Sequence, residues 1–222
     1  MVTSRGSAHP SGDRRVRRTQ AALARALIRL VEEQDLSRIS VADVAERAGV
    51  SRSTFYDHYR DVHELAEAAC TAMIDGLIDS LPAPGLDSPD PMPEATQSLE
   101  AFFASLAEHA GLYRGLLGPQ GSARLGDHIR RRITAAVYNL VHRFTVGGEP
   151  PEGDVPHDVP AAFTAGALFG VAADWLQRGC PRTPAEMAAL TWPLFIALYP
   201  VAIADSPETR PTPRPTRSPR HR

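Results

Sequence analysis

The chain has 222 residues, 43% of them hydrophobic, which is enough for one large domain or two unequal ones with a buried core. Its two cysteines lie too far apart and are too few for a disulfide framework or a zinc site, and no metal or cofactor is predicted. The sequence contains neither an apolar signal segment nor an uninterrupted apolar run of about 18 residues, so we expect a cytoplasmic protein that does not enter a membrane.

Charge is distributed unevenly along the chain, although the formal net charge is only -2. All 24 cationic side chains are Arg, a bias that a GC-rich genome produces and that by itself says little about binding. Residues 1–60 carry 11 Arg against 7 acidic residues, residues 61–209 carry 8 against 19, and residues 210–222 carry 5 Arg and no acid. A basic N-terminal part on an acidic body is typical of a chain whose first segment meets a polyanion.

Segments rich in Pro, Gly and small polar residues divide the chain into helical blocks. Residues 1–13 and the basic, Pro-rich tail 205–222 are predicted to be disordered, because neither can bury apolar area. Residues 82–93 and 147–160 each contain several prolines and are predicted to be loops.

Apolar residues recur at helical spacing through the rest of the sequence, and alternating strand patterns are absent. The spacing of Leu23, Leu27 and Leu30 predicts an amphipathic helix over residues 14–34. Further long helices are predicted at 62–81, 94–110, 122–146, 160–178 and 184–203. We therefore expect an all-α fold, with a helix-turn-helix domain at 14–61 and a helical body at 62–204.

The signals that start and stop short helices are concentrated in residues 40–64. Ser40 and Asp43 form an S-x-x-D capping pattern, and Gly49 can adopt the left-handed conformation that a tight helix exit needs. Ser51 is placed to cap a second helix that starts at Arg52. This spacing predicts a helix-turn-helix with a three-residue turn.

Two further patterns border the motif. Asp61 and Glu64 are expected to cap the next helix in the same way as the first pair. On the other side, the basic run at residues 14–19 includes Arg18 and Thr19, for which we predict contacts to phosphates or to the minor groove. A solvated helix start is the alternative for that run.

The helix that starts at Arg52 is predicted to turn its aromatic residues inward and its polar residues outward. Phe55 and Tyr59 are four residues apart and should face the first helix of the motif. The outward and flanking residues are then Arg52, Ser53, Thr54, Tyr56, Asp57, His58 and Arg60. We predict that Arg52, Ser53 and Thr54 contact bases in the major groove. Tyr56, His58 and Arg60 are predicted to contact phosphates, and an ordinary polar surface helix is the alternative.

The stretch ISVADVAERAGVSRSTFYDHYRDVHEL, with the helix that precedes it, resembles the N-terminal domain of the TetR family of bacterial regulators. The resemblance runs from about residue 15 to 66 and is carried by the A-x-x-A-G-V-S spacing, the T-F-Y trio, the following aromatic residue and the E-L pair. It implies that Thr54, Tyr56 and His58 contact DNA and that Ser40 touches a phosphate.

The sequence departs from the family pattern at two positions. Val62 stands where the family often has a Lys that contacts a phosphate, and Arg60 is the candidate to replace it. Two roles stay open for Asp57: it accepts a hydrogen bond from a cytosine amino group, or it repels the DNA backbone.

The last two predicted helices are apolar on nearly all sides. A helix such as 160–178 needs partners on more than one face. Pro193 is expected to kink or re-register the helix 184–203. The resemblance implies that these two helices pair with their copies in a homodimer, and burial within one subunit is the alternative. Two heads would then read half-sites about 34–36 Å apart, or a multiple of that distance.

Aromatic and aliphatic residues with a few polar tips mark a candidate effector pocket in the body. They are Phe102, Phe103, Leu106, His109, Tyr113, Tyr138, His142 and Phe163. Residues of this kind line pockets for drug-sized molecules, and ordinary core packing is the alternative for each of them. That a pocket exists at all is implied by the resemblance. Cys70 is expected to be a buried packing residue and not a redox sensor.

Together these observations predict a ligand-responsive DNA-binding regulator, most simply a repressor released from a palindromic operator by a small apolar or amphipathic molecule. Its expected partners are double-stranded DNA, a second copy of the chain and an effector whose identity the sequence does not reveal. A constitutive DNA-binding regulator without an effector and an activator are the alternatives. An enzyme is not predicted, because no nucleophile–base pair, phosphate loop or facing pair of carboxylates appears.

Overall fold

The computed structural model describes residues 10–81, 91–118, 121–146 and 158–197, and the regular secondary structure in these ranges is entirely helical. One turn of 3-10 helix, Leu36–Arg38, follows the first α-helix. The α-helices are α1 (Pro10–Glu33), α2 (Val41–Ala48), α3 (Arg52–Tyr56), α4 (Val62–Ser80), α5 (Pro91–Glu108), α6 (Ala110–Leu117), α7 (Ala123–Val146), α8 (Val159–Gln177) and α9 (Pro184–Ala197). The predicted all-α class is confirmed.

The first helix begins earlier than predicted. Residues 10–13 belong to α1, so the expectation of disorder over residues 1–13 is wrong for them. Proline suits the first position of a helix because its missing N–H would have no partner there. Asp13 also supports the first turns, since its carboxylate pairs with Arg17 at 2.7 Å. Residues 1–9 and the tail 205–222 lie outside the described residues.

Prolines led the prediction to place two body helices too late. α5 begins at Pro91 and α8 at Val159, although both starts were assigned to loops. A helix tolerates proline in its first turn, where no intrahelical hydrogen bond is lost. The Asp158 carboxylate caps α8 by accepting a hydrogen bond from the Ala161 N–H at 2.8 Å. The remainder of the two predicted loops, 82–90 and 147–157, lies outside the described residues.

Two other boundaries differ from the prediction. The helix predicted at 94–110 ends at Glu108, and the separate helix α6 follows it after a break at His109. The last helix continues through Pro193 and is described as far as Ala197, so the predicted extension to 203 lies outside the described residues.

One continuous apolar core joins the head, formed by α1 to α3, to the body, formed by α4 to α9. Leu23, Phe55 and Leu65 are fully buried at the head end, and Phe103 and Leu176 are fully buried in the body. Within the body α7 lies along α8, α5 lies along α9, and α4 contacts α7. The head is therefore not an independent unit on a free linker.

The short helix α6 forms a second contact between body and head, beside α4. A Cβ added to Gly111 would lie 3.3 Å from Val31 Cγ1, and one added to Gly115 would lie 3.4 Å from Leu36 Cδ2. Glycine at position 111 lets α6 approach the end of α1 closely, and at Gly115 α6 lies in ordinary contact distance of the 3-10 turn. On the body side, Arg114 Nε donates to the Leu176 carbonyl at 3.1 Å, so α6 also holds the C-terminal end of α8.

Candidate nucleic-acid interface

The two helices of the motif are held by the capping residues that the sequence predicts. The Ser40 hydroxyl accepts a hydrogen bond from the Asp43 N–H, and the Asp43 carboxylate accepts one from the Ser40 N–H at 2.8 Å. The bond from the Ser40 N–H contributes most to lowering the pKa of Asp43, and a bond from the Ser40 hydroxyl to the same carboxylate contributes next. Gly49 ends α2 in the left-handed conformation, with φ at 69°. The three-residue turn and the start of α3 at Arg52 are as predicted.

The orientation of α3 follows from its two inward aromatic rings. Phe55 is fully buried, and Tyr59 is half-buried against the same core with its ring centroid 6.0 Å from that of Phe55. The α-helix ends at Tyr56, but the Tyr59 N–H still donates to the Phe55 carbonyl at 2.9 Å, so the helical course continues for one more turn.

The opposite side of this segment carries the predicted DNA contacts. Arg52, Ser53, Tyr56, Asp57 and Arg60 are exposed, and Thr54 and His58 are half-buried. Tyr56 is 59% exposed, which is unusual for a large aromatic residue beside a buried one. The structure therefore brings the predicted residues of α3 and the following turn together on an accessible surface.

Hydroxyl groups cluster at the start of α3. The Ser51 Oγ lies 2.7 Å from Ser53 Oγ and 2.9 Å from Thr54 Oγ1, and it also accepts the Thr54 N–H at 3.0 Å. These contacts fix the directions of the Ser53 and Thr54 hydroxyls before any ligand arrives. A hydroxyl has more than one hydrogen-bonding position, so both side chains still have capacity for base edges or phosphates.

The Arg60 side chain is already held by an acidic neighbour, which the sequence prediction missed. The Glu64 carboxylate accepts from the Arg60 backbone N–H at 2.7 Å and from its Nε at 3.1 Å. These bonds lower the pKa of Glu64 and raise the pKa of Arg60. Asp61 caps α4 as predicted, but Glu64 reaches back to Arg60 and not to Asp61, so the reciprocal half of the expected capping pattern is wrong.

The basic start of α1 is exposed. Arg14, Arg15 and Arg18 are exposed, and Thr19 is half-buried with its hydroxyl donating to the Arg15 carbonyl at 3.1 Å. Arg18 is thus accessible, whereas Thr19 already has a hydrogen-bond partner.

A bidentate ion pair between α1 and α2 holds the motif against the first helix. Arg47 Nη1 and Nη2 each lie 2.8 Å from an oxygen of Glu33. The hydrogen bond from Arg47 lowers the pKa of Glu33. Sequence spacing gave no signal for this pair, because its members are 14 residues apart on different helices.

The predicted pocket residues differ in burial. Phe102, Phe103, Leu106 and Tyr113 lie in the apolar core, and His109, Tyr138 and His142 are half-buried. Phe163 is 61% exposed on α8, so its assignment to an interior pocket is wrong for the single chain. Phe169 is the aromatic residue of α8 that lies against α7, with the Arg130 guanidinium 5.1 Å from its ring centroid.

Charged residues connect the linking helix α4 to the body. Arg132 on α7 donates from Nε to Asp75 at 2.7 Å and from Nη2 to Asp79 at 2.6 Å. His128 Nε2 lies 2.9 Å from the same Asp75 oxygen. These contacts fix the C-terminal half of α4, while its N-terminal half lies in the head core. Arg132 is therefore an anchor for α4.

Helices α8 and α9 expose apolar faces. On α8, Val159 and Phe163 are 65% and 61% exposed, and on α9, Leu190 and Leu194 are 57% and 65% exposed. Gly166 and Gly170 leave the backbone of α8 accessible, because a Cβ added at either position would meet nothing within 4 Å. Apolar surface of this extent at two neighbouring chain segments is typical of an interface.

The composition of α8 meets the length and hydropathy criteria for a membrane span, and a third of it is buried. The single charged residue in this helix, Asp174, does not lower its mean hydropathy enough to exclude it. Core helices of non-membrane proteins meet the same criteria, and the packing of α8 along α7 fits that explanation.

The structure thus places a capped helix-turn-helix on a helical body. Two family models match the chain: "Bacterial regulatory proteins, tetR family" over residues 23–69 and "Transcriptional regulator C-terminal region" over residues 94–194. The chain belongs to the TetR family, which comprises regulators and not enzymes.

Curated relatives match part of the chain. The regulator EthR of Mycolicibacterium smegmatis is 35% identical over 121 residues, which cover 50% of this chain and 49% of EthR. The Bacillus subtilis regulator YxbF, described as uncharacterized, is 32% identical over 96 residues, covering 43% of this chain and 25% of YxbF. The matched part thus spans about half of the first relative and about a quarter of the second.

Solved structures share the fold. A tetR-family regulator from Streptomyces coelicolor superposes with a TM-score of 0.62 at 22% identity, covering 84% of this chain and 82% of that one. The operon activator DhaS gives 0.60 at 16% identity, covering 81% and 94%. The repressor AlkX from Dietzia gives 0.57 at 17% identity, covering 82% and 96%.

Proposed function

We propose that this protein is a homodimeric, cytoplasmic transcriptional regulator that reads DNA with the outward surface of α3 and the turn after it. The observation that carries the proposal is the orientation of α3, because burial of Phe55 turns Arg52, Ser53 and Tyr56 outward at a helix start that hydroxyl contacts keep ordered. Residues at the N-terminal end of such a helix are the ones that reach base edges in the major groove. Arg18 and Ser40 supply phosphate contacts that fix the position of the head.

Electrostatics support the same assignment. The excess of Arg over acidic residues in residues 1–60 favours contact with phosphates, whereas the acidic body would be repelled from DNA. Arg60 replaces the basic residue expected at Val62, although its pairing with Glu64 weakens the field it offers to a phosphate.

Dimer formation rests on the apolar faces of α8 and α9. A single head makes few contacts, and a two-fold dimer doubles them on a palindromic operator. Leu194 and Phe163 project from these faces, and Gly166 and Gly170 allow the helices of a second copy to approach closely.

We propose that the protein represses transcription, and that a small effector relieves the repression when it binds in the body. α4 transmits the change, because it is part of the head core at one end and is held by Arg132 at the other. An effector shifts DNA affinity only if it binds the two states unequally. Activation of transcription is the alternative, and the structures that share the fold include both a named activator and a named repressor.

A regulator without an effector is the second candidate. It is favoured by the complete burial of Phe103 and Leu106, which act as core packing residues and not as a free lining.

The test of DNA binding is a titration of the purified full chain with the DNA immediately upstream of its own gene, over a range of salt concentrations. We expect a specific complex of one dimer per site and a log-log salt slope that reflects several phosphate contacts. Absence of a specific complex at low salt would contradict the proposal. A complex that forms but resists every tested small molecule would support the effector-free candidate.

A further inference from the structure

Two carboxylates of α4 share a single guanidinium of α7. Asp75 accepts a hydrogen bond from Arg132 Nε at 2.7 Å, and Asp79 accepts one from Arg132 Nη2 at 2.6 Å. One negative charge is therefore left without a counter-charge. His128 Nε2 lies 2.9 Å from the Asp75 oxygen that Arg132 Nε contacts. The charge balance of these four residues, the α4–α7 cluster, thus depends on whether His128 is protonated.

Protonation of His128 changes the strength of its contact with Asp75. A neutral imidazole with its proton on Nε2 donates an ordinary hydrogen bond to the carboxylate. An imidazolium donates a charge-assisted bond, which is roughly twice as strong, and supplies the positive charge that the cluster lacks. Histidine ordinarily changes its charge between about pH 5 and pH 8, a range in which carboxyl groups ordinarily stay ionised.

The position of the cluster allows this charge to act on the fold. The side chains of His128 and Asp75 are 27% and 36% exposed. Water therefore screens their interaction less than it screens an ion pair on the open surface. Asp75 also belongs to the helix whose other end carries Leu65, which is fully buried in the head core. A change in this pair consequently acts on the helix that joins body and head.

The charged neighbours on α7 itself have other partners or face solvent. Asp127 pairs with Arg131, and its Oδ1 lies 3.7 Å from Arg130 Nη2. Arg124 lies one turn before His128 and is exposed, so water screens its repulsion of an imidazolium. None of these groups ordinarily changes charge between about pH 5 and pH 8.

The helices that pack against α7 are α4, α6 and α8. In the second half of α4 the charged groups are the two carboxylates of the cluster. On α6 the charged residue is Arg114, whose Nε donates to the Leu176 carbonyl at 3.1 Å. On α8 it is Asp174, which pairs with Arg178 at 2.8 Å. Among these helices, the charge that varies near neutral pH is therefore that of His128.

We propose that His128 makes the hold of α7 on α4 dependent on pH. With His128 protonated, the cluster is balanced and α4 is held more firmly; with His128 neutral, the hold is weaker. A group whose charged form has a partner only in the folded state contributes stability at low pH and loses that contribution as the pH rises. A consequence for DNA rests on the proposed function: because α4 reaches into the head, the same proton should change operator affinity.

The first test involves no DNA. Urea unfolding of the full chain is measured at one protein concentration for the wild type, His128→Gln, Asp75→Asn and the double variant, at about pH 5.5 and about pH 8. Glutamine keeps a neutral donor but cannot gain a charge. We expect a coupling between the two positions of about two- to fivefold in the unfolding equilibrium constant at the lower pH, and a smaller coupling at the higher pH.

The matched control is His142→Gln, on the same helix, where the imidazole stacks on Tyr138 with 5.8 Å between ring centroids. This variant should keep the pH dependence of the wild-type protein. The inference would be overturned by a coupling between His128 and Asp75 that is equal at both pH values or larger at the higher one. Loss of the same pH dependence in the control would overturn it as well.

The second test measures operator affinity by fluorescence anisotropy at the same two pH values. The ratio of the two affinities should differ by about twofold or more between the wild type and His128→Gln. Protonation of His58 and His63 in the head affects both proteins alike and cancels in this comparison. Identical ratios would overturn the link from the cluster to the head. Absence of any operator complex would refute the proposed function and leave the coupling measured without DNA standing.

Discussion

The head and the body expose side chains of opposite character, and the difference separates what each surface is for. Around α3 the exposed residues are polar and their neighbours are held in place by capping bonds, as at Ser51. On α8 and α9 the exposed residues are apolar, as at Phe163 and Leu194. A polar, basic surface suits a charged partner such as DNA, whereas an apolar surface suits a second copy of the same chain.

The largest expected effect comes from placing a charge on the apolar faces. Leu194→Arg puts a cation in the proposed interface without a partner, so the dimer should dissociate. Operator affinity should then fall by a factor of about a hundred or more, because the advantage of two linked heads is lost. Sedimentation velocity and fluorescence anisotropy measure the two effects. Ala104→Arg, at an exposed position on α5, is the matched control.

If Leu194→Arg remained a dimer with unchanged operator affinity, the interface would have to lie elsewhere.

The contact between α6 and the head predicts the next effect. Gly111→Leu forces a side chain against Val31, and we expect the free energy of unfolding to fall by about 1–3 kcal/mol, together with weaker operator binding. Gly76→Leu is the control, because a Cβ there meets nothing within 4 Å, and it should raise stability by up to about 1 kcal/mol through better helix propensity. Urea titration distinguishes the two variants.

Equal behaviour of the two glycine variants would mean that the close approach of α6 does not hold the head.

The hold of Glu64 on Arg60 predicts a smaller effect of opposite sign. Glu64→Gln removes the carboxylate charge, so Arg60 should engage a phosphate more fully. Operator affinity at low salt should rise severalfold, and the magnitude of the log-log salt slope should increase by about one. Asp174→Asn is the control, since it frees Arg178 from an exposed ion pair of the same spacing in the body. A rise in affinity of the same size in that control would indicate a general charge effect.

The smallest expected effect is the acid sensitivity of the head. Glu33, Asp43 and Glu64 all have a pKa lowered by hydrogen bonds in the folded state. A carboxyl group whose pKa is lower when folded stabilises the fold above its unfolded pKa and loses that contribution as the pH falls through the folded pKa. Stability measured by urea titration should therefore decline from about pH 5 downward. The decline should be shallower in Glu33→Gln, and an identical decline in that variant would exclude the Arg47 pair as a contributor.

Sequence reasoning succeeded where the determinants were local. The capping pair Ser40 and Asp43, the left-handed Gly49 and the inward Phe55 lie within a few residues of the features they control. Contacts between distant segments gave no such signal. The pairs Arg47–Glu33 and Arg132–Asp75 join separate helices, and α6 was hidden because the break at His109 carries neither Gly nor Pro.

The predicted pocket residues show that sequence reasoning also could not predict which apolar side chains are buried. Phe102 and Phe163 are chemically similar, yet one is buried in the core and the other is exposed on α8. Composition and helical spacing cannot distinguish these outcomes, because they depend on which neighbouring helix covers each face.

The most direct test of DNA reading by α3 uses the double variant Thr54→Ala, Tyr56→Ala. Its binding is measured to the operator found in the upstream DNA and to a scrambled sequence of equal length. We expect the double variant to remain a folded dimer, to bind the scrambled DNA about as well as the wild-type protein, and to lose most of its preference for the operator. Unchanged discrimination between the two DNA sequences would contradict the assignment of α3 as the reading helix.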